Sequence, residues 1–148
     1  MLYPDAEHIF TSFKTLNASC HCMLLDVVAA GVMQDRDALR LLVGTFMGNV
    51  YIEVLRPLER LFAQLDPMST DSKYLAPAEE GGDDARLFAR FIGAARQALS
   101  LHSAAIVDGE ASGLFRKGTL QEIVDAVDAI ERFAGEHGLH LATVPASS

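Results

Sequence analysis

Hydrophobic residues recur every three or four positions over most of the chain, which is the spacing of one face of an α-helix. The first such stripe predicts a long helix over residues 5–30, with a break into two shorter helices near 17–19 as the alternative. Pro4 suits the first turn of this helix, and Gly31 suits its end. The stripe consists of Ile9, Phe13, Leu16, Cys20, Met23, Val27 and Ala30.

A second apolar stripe begins after Asp35 and predicts another long helix. Pro57 lies inside it, and proline removes a backbone hydrogen bond and clashes with the preceding turn. Because the stripe keeps its phase across Pro57, we expect a kink rather than a break. Gly44 and Gly48 stand one turn apart, a spacing that allows a second backbone to come close. The stripe consists of Leu39, Val43, Phe46, Val50, Val54, Leu58, Leu61 and Leu65.

Two further helices are predicted in the C-terminal half, one from about Asp83 to Val107 and one beginning at Thr119. Thr119 and Glu122 have the spacing of a capping box at the start of the last helix. Residues 66–82 and 108–118 are rich in glycine, acids and other turn-forming residues. We expect both segments to be loops and 66–82 to be mobile, whereas the tail 139–148 is too short to assign.

These elements predict an all-α fold, a single domain over 1–148. It is a four-helix up-down bundle with two long N-terminal helices, the second kinked near Pro57. The first two helices are also apolar away from their main stripes, which favours a homodimer that buries about 1,600 Å² or more in total. The residues concerned are Leu24, Leu25, Val28, Leu41, Leu42, Met47 and Ile52.

Composition narrows the range of partners. Half of the 148 residues are hydrophobic, and the net charge is −8 at pH 7. A surface that binds phosphates needs clustered Lys and Arg, so we expect direct binding neither to nucleic acid nor to an anionic membrane. The N-terminus lacks the basic segment of a secretory signal, and the longest uncharged run, 41–52, is short for a membrane span. Two cysteines so close together form no disulfide framework, and a cytoplasmic protein is expected.

The Cys20-His21-Cys22 triplet raises the question of a metal site. On a helix, residues two apart point about 200° from each other, so these two sulfurs cannot bind one ion. A di-iron bundle would need Glu-x-x-His pairs, and the sequence contains none of them. We therefore expect no metal site here, and the sequence identifies no cofactor.

Two residues of the third helix are candidates for a ligand site or an active site. His102 lies on the apolar stripe of this helix, where a buried imidazole can be a core residue, a general base or an axial haem ligand. The stripe consists of Phe88, Phe91, Ile92, Ala95, Leu99, His102 and Ile106. Arg96 and His102 lie in "RQALSLH", whose R-x5-H spacing resembles the R-x4-6-H signature of HEPN ribonucleases, small all-helical proteins that dimerise. The resemblance covers these two residues and the fold class, and it implies ribonuclease activity.

The last helix carries a row of acids that can form a solvated face or a docking surface for a basic protein. Its members are Glu122, Asp125, Asp128 and Glu131. Taken together, the sequence favours a small cytoplasmic binding or regulatory protein, immunity-, adaptor- or chaperone-like, acting through protein–protein contacts. A bundle that binds a ligand or haem around His102 is the first alternative, and the ribonuclease is the second.

Overall fold

The computed structural model describes residues 1–30, 35–65 and 84–138, and every regular element within these ranges is helical. The expected loop at 66–82 and the tail 139–148 lie outside the described residues. The first helix is continuous, as the apolar stripe predicts, and has no break near 17–19. The elements are α1 (Tyr3–Ala30), α2 (Arg36–Val50), a π-helical turn (Tyr51–Leu55), α3 (Arg56–Leu61), α4 (Asp84–Ser112) and α5 (Thr119–Glu136).

Four long helices of the described chain pack against one another: α1 packs mainly on α2 and α4, and α5 packs mainly on the same two helices. The first turns of α1 lie beside the last turns of α4. The contacts of α1 with the stretch from α2 to α3 likewise pair the start of one with the end of the other. Helices α2 and α4 are therefore both antiparallel to α1, and strict up-down alternation along the chain is not confirmed. The contacts that fix these directions are Tyr3–Phe62, Asn17–Met47, His8–His102, Phe88–Phe133, Glu53–Thr119 and Asp35–His137.

A π-helical turn precedes Pro57. The N–H of Arg56 donates to the carbonyl of Tyr51, five residues earlier, and α3 then begins with Pro57 in its first turn. Proline has no N–H to donate and is tolerated at the start of a helix. The expected kink near Pro57 is not confirmed; the irregularity at this place is the π turn. Single π turns widen a helix locally and often occur at functional positions.

The apolar stripes of the sequence form the core. Within the described residues, the buried hydrophobic members of the stripes belong to one continuous cluster, which also includes residues of α4 and α5 and fills the space between the helices. Leu61 is an exception, since half of its side chain is exposed where α3 ends. Phe62, the next residue, instead packs edge-on against Tyr3 with a centroid distance of 5.3 Å. The stripes therefore predict the core, except at Leu61.

The connection between α4 and α5 differs from the sequence-based prediction. Helix α4 continues to Ser112, so the loop begins five residues later than expected. Thr119 does not form a capping box: the N-cap residue is Gly118, with φ of 92°. The carboxylate of Glu110, in the last turn of α4, accepts hydrogen bonds from the N–H groups of Gly118 and Leu120 at 2.6 and 3.2 Å. A side chain from the preceding helix thus caps α5.

Candidate functional site: a pocket at His102

A pocket opens where the start of α1 meets the end of α4. Its volume is about 370 Å³, near the lower end of the range for small-molecule sites. The two helices supply opposite walls, and the loop after α4 adds Leu114. The lining residues are Met1, Asp5, His8, Ile9, His102, Ala105, Asp108, Gly109, Ser112 and Leu114.

His102 is the most deeply placed polar residue of this pocket. It lies on the buried stripe of α4, and only 4% of its surface is exposed. Its Nε2 atom lies 2.9 Å from Oγ of Ser12 on α1. The ring of His8 meets it edge-on at a centroid distance of 4.9 Å, and Phe13 packs beside it at 6.0 Å. His102 is therefore both part of the core and part of the pocket wall.

Burial, together with the neighbouring His8, lowers the pKa of His102 below its ordinary value. The imidazole is therefore neutral at pH 7 and can accept a proton. A Ser–His pair at 2.9 Å resembles the first two members of a catalytic triad, which also needs a group that orients the histidine. Among the described residues, no carboxylate forms a hydrogen bond with His102. The geometry is that of a satisfied polar pair, without the rest of an acyl-transfer site.

The structure places Arg96 apart from this pocket. Its guanidinium contacts α5, where Nη2 lies 2.5 Å from Oδ1 of Asp128 and 3.7 Å from Oε2 of Glu131. His102, in contrast, contacts α1. The two residues of the R-x5-H spacing therefore point toward different neighbouring helices, and Arg96 does not line the pocket.

The acidic row on α5 is largely engaged within the chain. Asp128 and Glu131 pair with Arg96, and Glu122 pairs with Arg116. Asp125 accepts a hydrogen bond from Gln121 at 2.8 Å. These partners offset part of the negative charge that the sequence places on this face.

An ion-pair cluster surrounds Glu53, and no sequence pattern predicts it. Glu53 lies on the π turn, and its side chain is only 11% exposed. Its two carboxylate oxygens accept hydrogen bonds from Nε of Arg116 at 3.0 and 3.2 Å. The hydrogen bonds to Glu122 and Glu53 raise the pKa of Arg116 above its ordinary value. This cluster ties the π turn to the start of α5. Glu53 lies 63 residues before Arg116 in the chain, so no local motif could predict their pairing.

The cysteine–histidine triplet lies on α1, where the two thiols face different surroundings. Cys20 is buried in the core, and burial raises its pKa to about 12. Cys22 is half-buried. A thiol with so high a pKa stays protonated and is a poor nucleophile or metal ligand. Within the described ranges, no three His, Cys, Asp or Glu side chains come together as a metal-binding group.

A second surface stands out along α2 and the π turn that follows it, where apolar residues face away from the rest of the described chain. Leu41 is 72% exposed and Ile52 is 56% exposed, with Tyr51 also exposed beside them. Between them, a Cβ atom added to Gly44 or Gly48 would meet nothing within 4 Å. We call Leu41, Gly44, Thr45, Gly48 and Ile52 the α2 outer stripe. The close approach of a second backbone that the two glycines allow does not occur within the described chain.

The helix that carries this stripe also has the length and composition of a membrane span. The continuous stretch Arg36–Leu61 has 26 residues, and its most apolar window has a mean hydropathy of 1.4, with 33% of that window buried inside the protein. Length and composition alone do not distinguish a spanning helix from an apolar helix of a bundle. The large apolar side chains of this stretch that stay exposed in the described chain are Leu41, Tyr51, Ile52 and Leu61.

Comparison with known proteins adds no functional information. No protein-family model, curated protein or solved structure matches this chain. Functional inference therefore depends on the pocket at His102 and the α2 outer stripe.

Proposed function

We propose that this protein is a self-associating helical binding protein, and that the α2 outer stripe is the surface through which two copies meet. The observation that carries the proposal is the exposure of Leu41 and Ile52 beside two uncovered glycines. A contiguous apolar patch on an outer face often marks an interface. This surface is favoured over the acidic row of α5, whose charge Arg96 and Arg116 partly offset.

The shape of the stripe suits a second copy of the same chain. In a two-fold symmetric dimer, the same patch must be complementary to itself. Leu41 and Ile52 project at the ends of the stripe, while Gly44 and Gly48 leave a shallow depression between them. The Thr45 hydroxyl donates to the Leu41 carbonyl at 2.9 Å, so its hydrogen-bonding demand is met within its own helix. The projecting side chains of one copy can therefore pack over the glycines of the other.

Sedimentation velocity at micromolar concentration tests this proposal. We expect a dimer for the wild type and a monomer for Leu41→Glu, because burial of an unpaired carboxylate opposes association. Leu101→Glu is the matched control: Leu101 is 62% exposed on α4, outside the stripe. Circular dichroism verifies that both variants remain helical.

Three results would contradict self-association through this stripe. The wild type could be monomeric, Leu41→Glu could remain dimeric, or both glutamate variants could dissociate equally. A monomeric wild type that cosediments with phosphatidylcholine vesicles would instead assign the stripe to a membrane surface.

We also propose a second function, the binding of a small molecule in the pocket at His102. Its support is the placement of a buried polar residue in the wall of a cavity large enough for a small ligand. A haem is a poorer fit, because an axial ligand needs an unengaged ring nitrogen and Nε2 of His102 contacts Ser12. Ribonuclease activity has no support beyond the R-x5-H spacing.

Replacing one of two alanines of α4 by phenylalanine tests pocket binding. Ala105 lines the pocket, whereas Ala104 is exposed to solvent. We expect Ala105→Phe to fill the cavity and abolish the shifts that a library of small fragments induces in the amide NMR signals of residues 105–114. Ala104→Phe should leave those shifts intact. Fragments that shift both variants equally, or that shift no pocket signal in the wild type, would refute the proposal.

A further inference from the structure

Apart from the imidazoles of His8 and His102, the ionisable side chains that line the pocket at His102 are acidic. Asp5 on α1 and Asp108 on α4 contribute two carboxylates from opposite walls, and among the described residues no Lys or Arg belongs to the lining. If the α-amino group of Met1 is counted as a cation, the carboxylates still outnumber it. Such a site repels anions and attracts cations.

His102, at the deep end of the pocket, carries no opposing charge. His102 is neutral at pH 7, since burial and His8 lower its pKa. A neutral imidazole does not repel a cation, and it offers a ring nitrogen or a π face to it. The polar residue deepest in the pocket is therefore compatible with the charge that the two carboxylates favour.

The remaining walls are apolar. Ile9, Ala105 and Leu114 line the cavity together with the side chain of Met1. These side chains can cover a short alkyl group, which gains about 25 cal/mol for each Å² of apolar surface removed from water. A bare metal ion would not use them, and the described residues hold no cluster of three or more metal-ligating side chains. The lining thus combines an anionic rim with an apolar wall.

We propose that this pocket binds a small organic cation, with its ammonium group between Asp5 and Asp108 and its alkyl body against Ile9 and Leu114. The inference rests on the second proposed function, ligand binding in the pocket at His102. It adds the chemical class of the ligand.

Three probes of similar size and different charge separate this inference from pocket binding in general. They are n-butylammonium, n-butanol and butyrate, each titrated into the ¹⁵N-labelled full chain at pH 7 and 150 mM salt, where long-range attraction by the net charge is screened. We expect n-butylammonium to shift the pocket signals with at least tenfold higher affinity than n-butanol, and butyrate to bind least. A charge-assisted hydrogen bond contributes enough for a difference of this size.

Charge-neutralising variants locate the ammonium group. Asp5→Asn and Asp108→Asn should each weaken binding of n-butylammonium about tenfold and leave n-butanol unchanged. Both side chains are exposed, so neither variant opens the core. Asp125→Asn is the control: it makes the same change of net charge on α5, outside the pocket, and should have no effect.

The outcomes distinguish the two proposals. Equal affinities of n-butylammonium and n-butanol for the wild type would overturn the cation inference and leave pocket binding standing. An equal loss of affinity in Asp125→Asn and Asp108→Asn would overturn it as well, because the attraction would then belong to the whole surface. If none of the three probes shifts a pocket signal, both proposals fail.

Discussion

The ring of Phe115 packs directly against the backbone of Gly109, at the place where α4 turns into the loop before α5. A Cβ atom at position 109 would lie within 3.0 Å of two ring atoms, closer than real Cβ atoms approach other groups. The ring cannot move aside easily, since Phe115 is buried in the core and its N–H donates to the Gly109 carbonyl at 3.0 Å. The contact therefore requires glycine at 109.

We expect Gly109→Ala to lower the free energy of unfolding by about 1–3 kcal/mol, the usual cost of forcing an extra methyl group into a packed core. Gly93→Ala, in the middle of the same helix, is the matched control. A Cβ atom there would meet nothing within 4 Å, so alanine should stabilise the helix by about 0.5–1 kcal/mol. Urea unfolding measures both changes, and a stabilising Gly109→Ala would contradict the close contact.

Glu110 is the side chain that caps α5, and its removal should be felt at that helix. We expect Glu110→Ala to lower the free energy of unfolding by about 1 kcal/mol, because two N–H groups at the start of α5 lose their acceptor. Glu136→Ala serves as control, since Glu136 is exposed at the other end of α5. Amide hydrogen exchange should show faster exchange at residues 118–120 in the first variant only. Unchanged protection there would argue against the cap.

Thr119 is a position where the local sequence pattern gives the wrong prediction. Its spacing to Glu122 predicts a capping box, which uses only residues of one helical turn. In the structure, Glu122 instead pairs with Arg116, and the Thr119 hydroxyl donates to the Arg116 carbonyl at 2.6 Å. Glu53 accepts a hydrogen bond from the Thr119 hydroxyl, and Glu110 accepts hydrogen bonds from N–H groups at the start of α5. Both residues belong to other elements, so a pattern within one helix could not include them.

The apolar stripes, in contrast, predict the core well, because the period of a helix determines which side chains share a face. His102 is an instructive case: its position on the stripe of α4 predicts burial, and the structure buries it. Its neighbours Ser12 and His8 lie about ninety residues earlier in the chain, so the pairing of α1 with α4 had to be known before the pocket could be found. The elements follow from local periodicity, whereas the site depends on their arrangement.

The lowered pKa of His102 makes the stability of the protein depend on pH. Below the ordinary histidine pKa of 6.5, the unfolded chain takes up a proton at this position before the folded chain does. The free energy of unfolding should therefore decrease as the pH falls from 6.5 to the folded-state pKa. His102→Gln should lose this part of the pH dependence, whatever its effect on stability at pH 7.5. Urea unfolding at pH 7.5 and 5.5 gives the difference within each protein, and equal differences in both would contradict the assignment.

His137, at the end of α5, should respond to pH in the opposite sense. Its pKa is raised, first by the hydrogen bond to the Phe133 carbonyl and then by Asp35, whose Oδ2 lies 3.1 Å from Nε2. A raised pKa means that the folded chain holds the proton more firmly, so the stabilisation is complete below pH 6.5 and is lost as the pH rises through the folded-state value. His137→Gln should remove this loss, and Asp35→Asn should reduce it, as measured by urea unfolding between pH 5.5 and 8. His21→Gln, at an exposed position on α1, should keep the wild-type profile. If Asp35→Asn also keeps that profile, the pairing of α5 with the start of α2 contributes nothing to the proton affinity of His137.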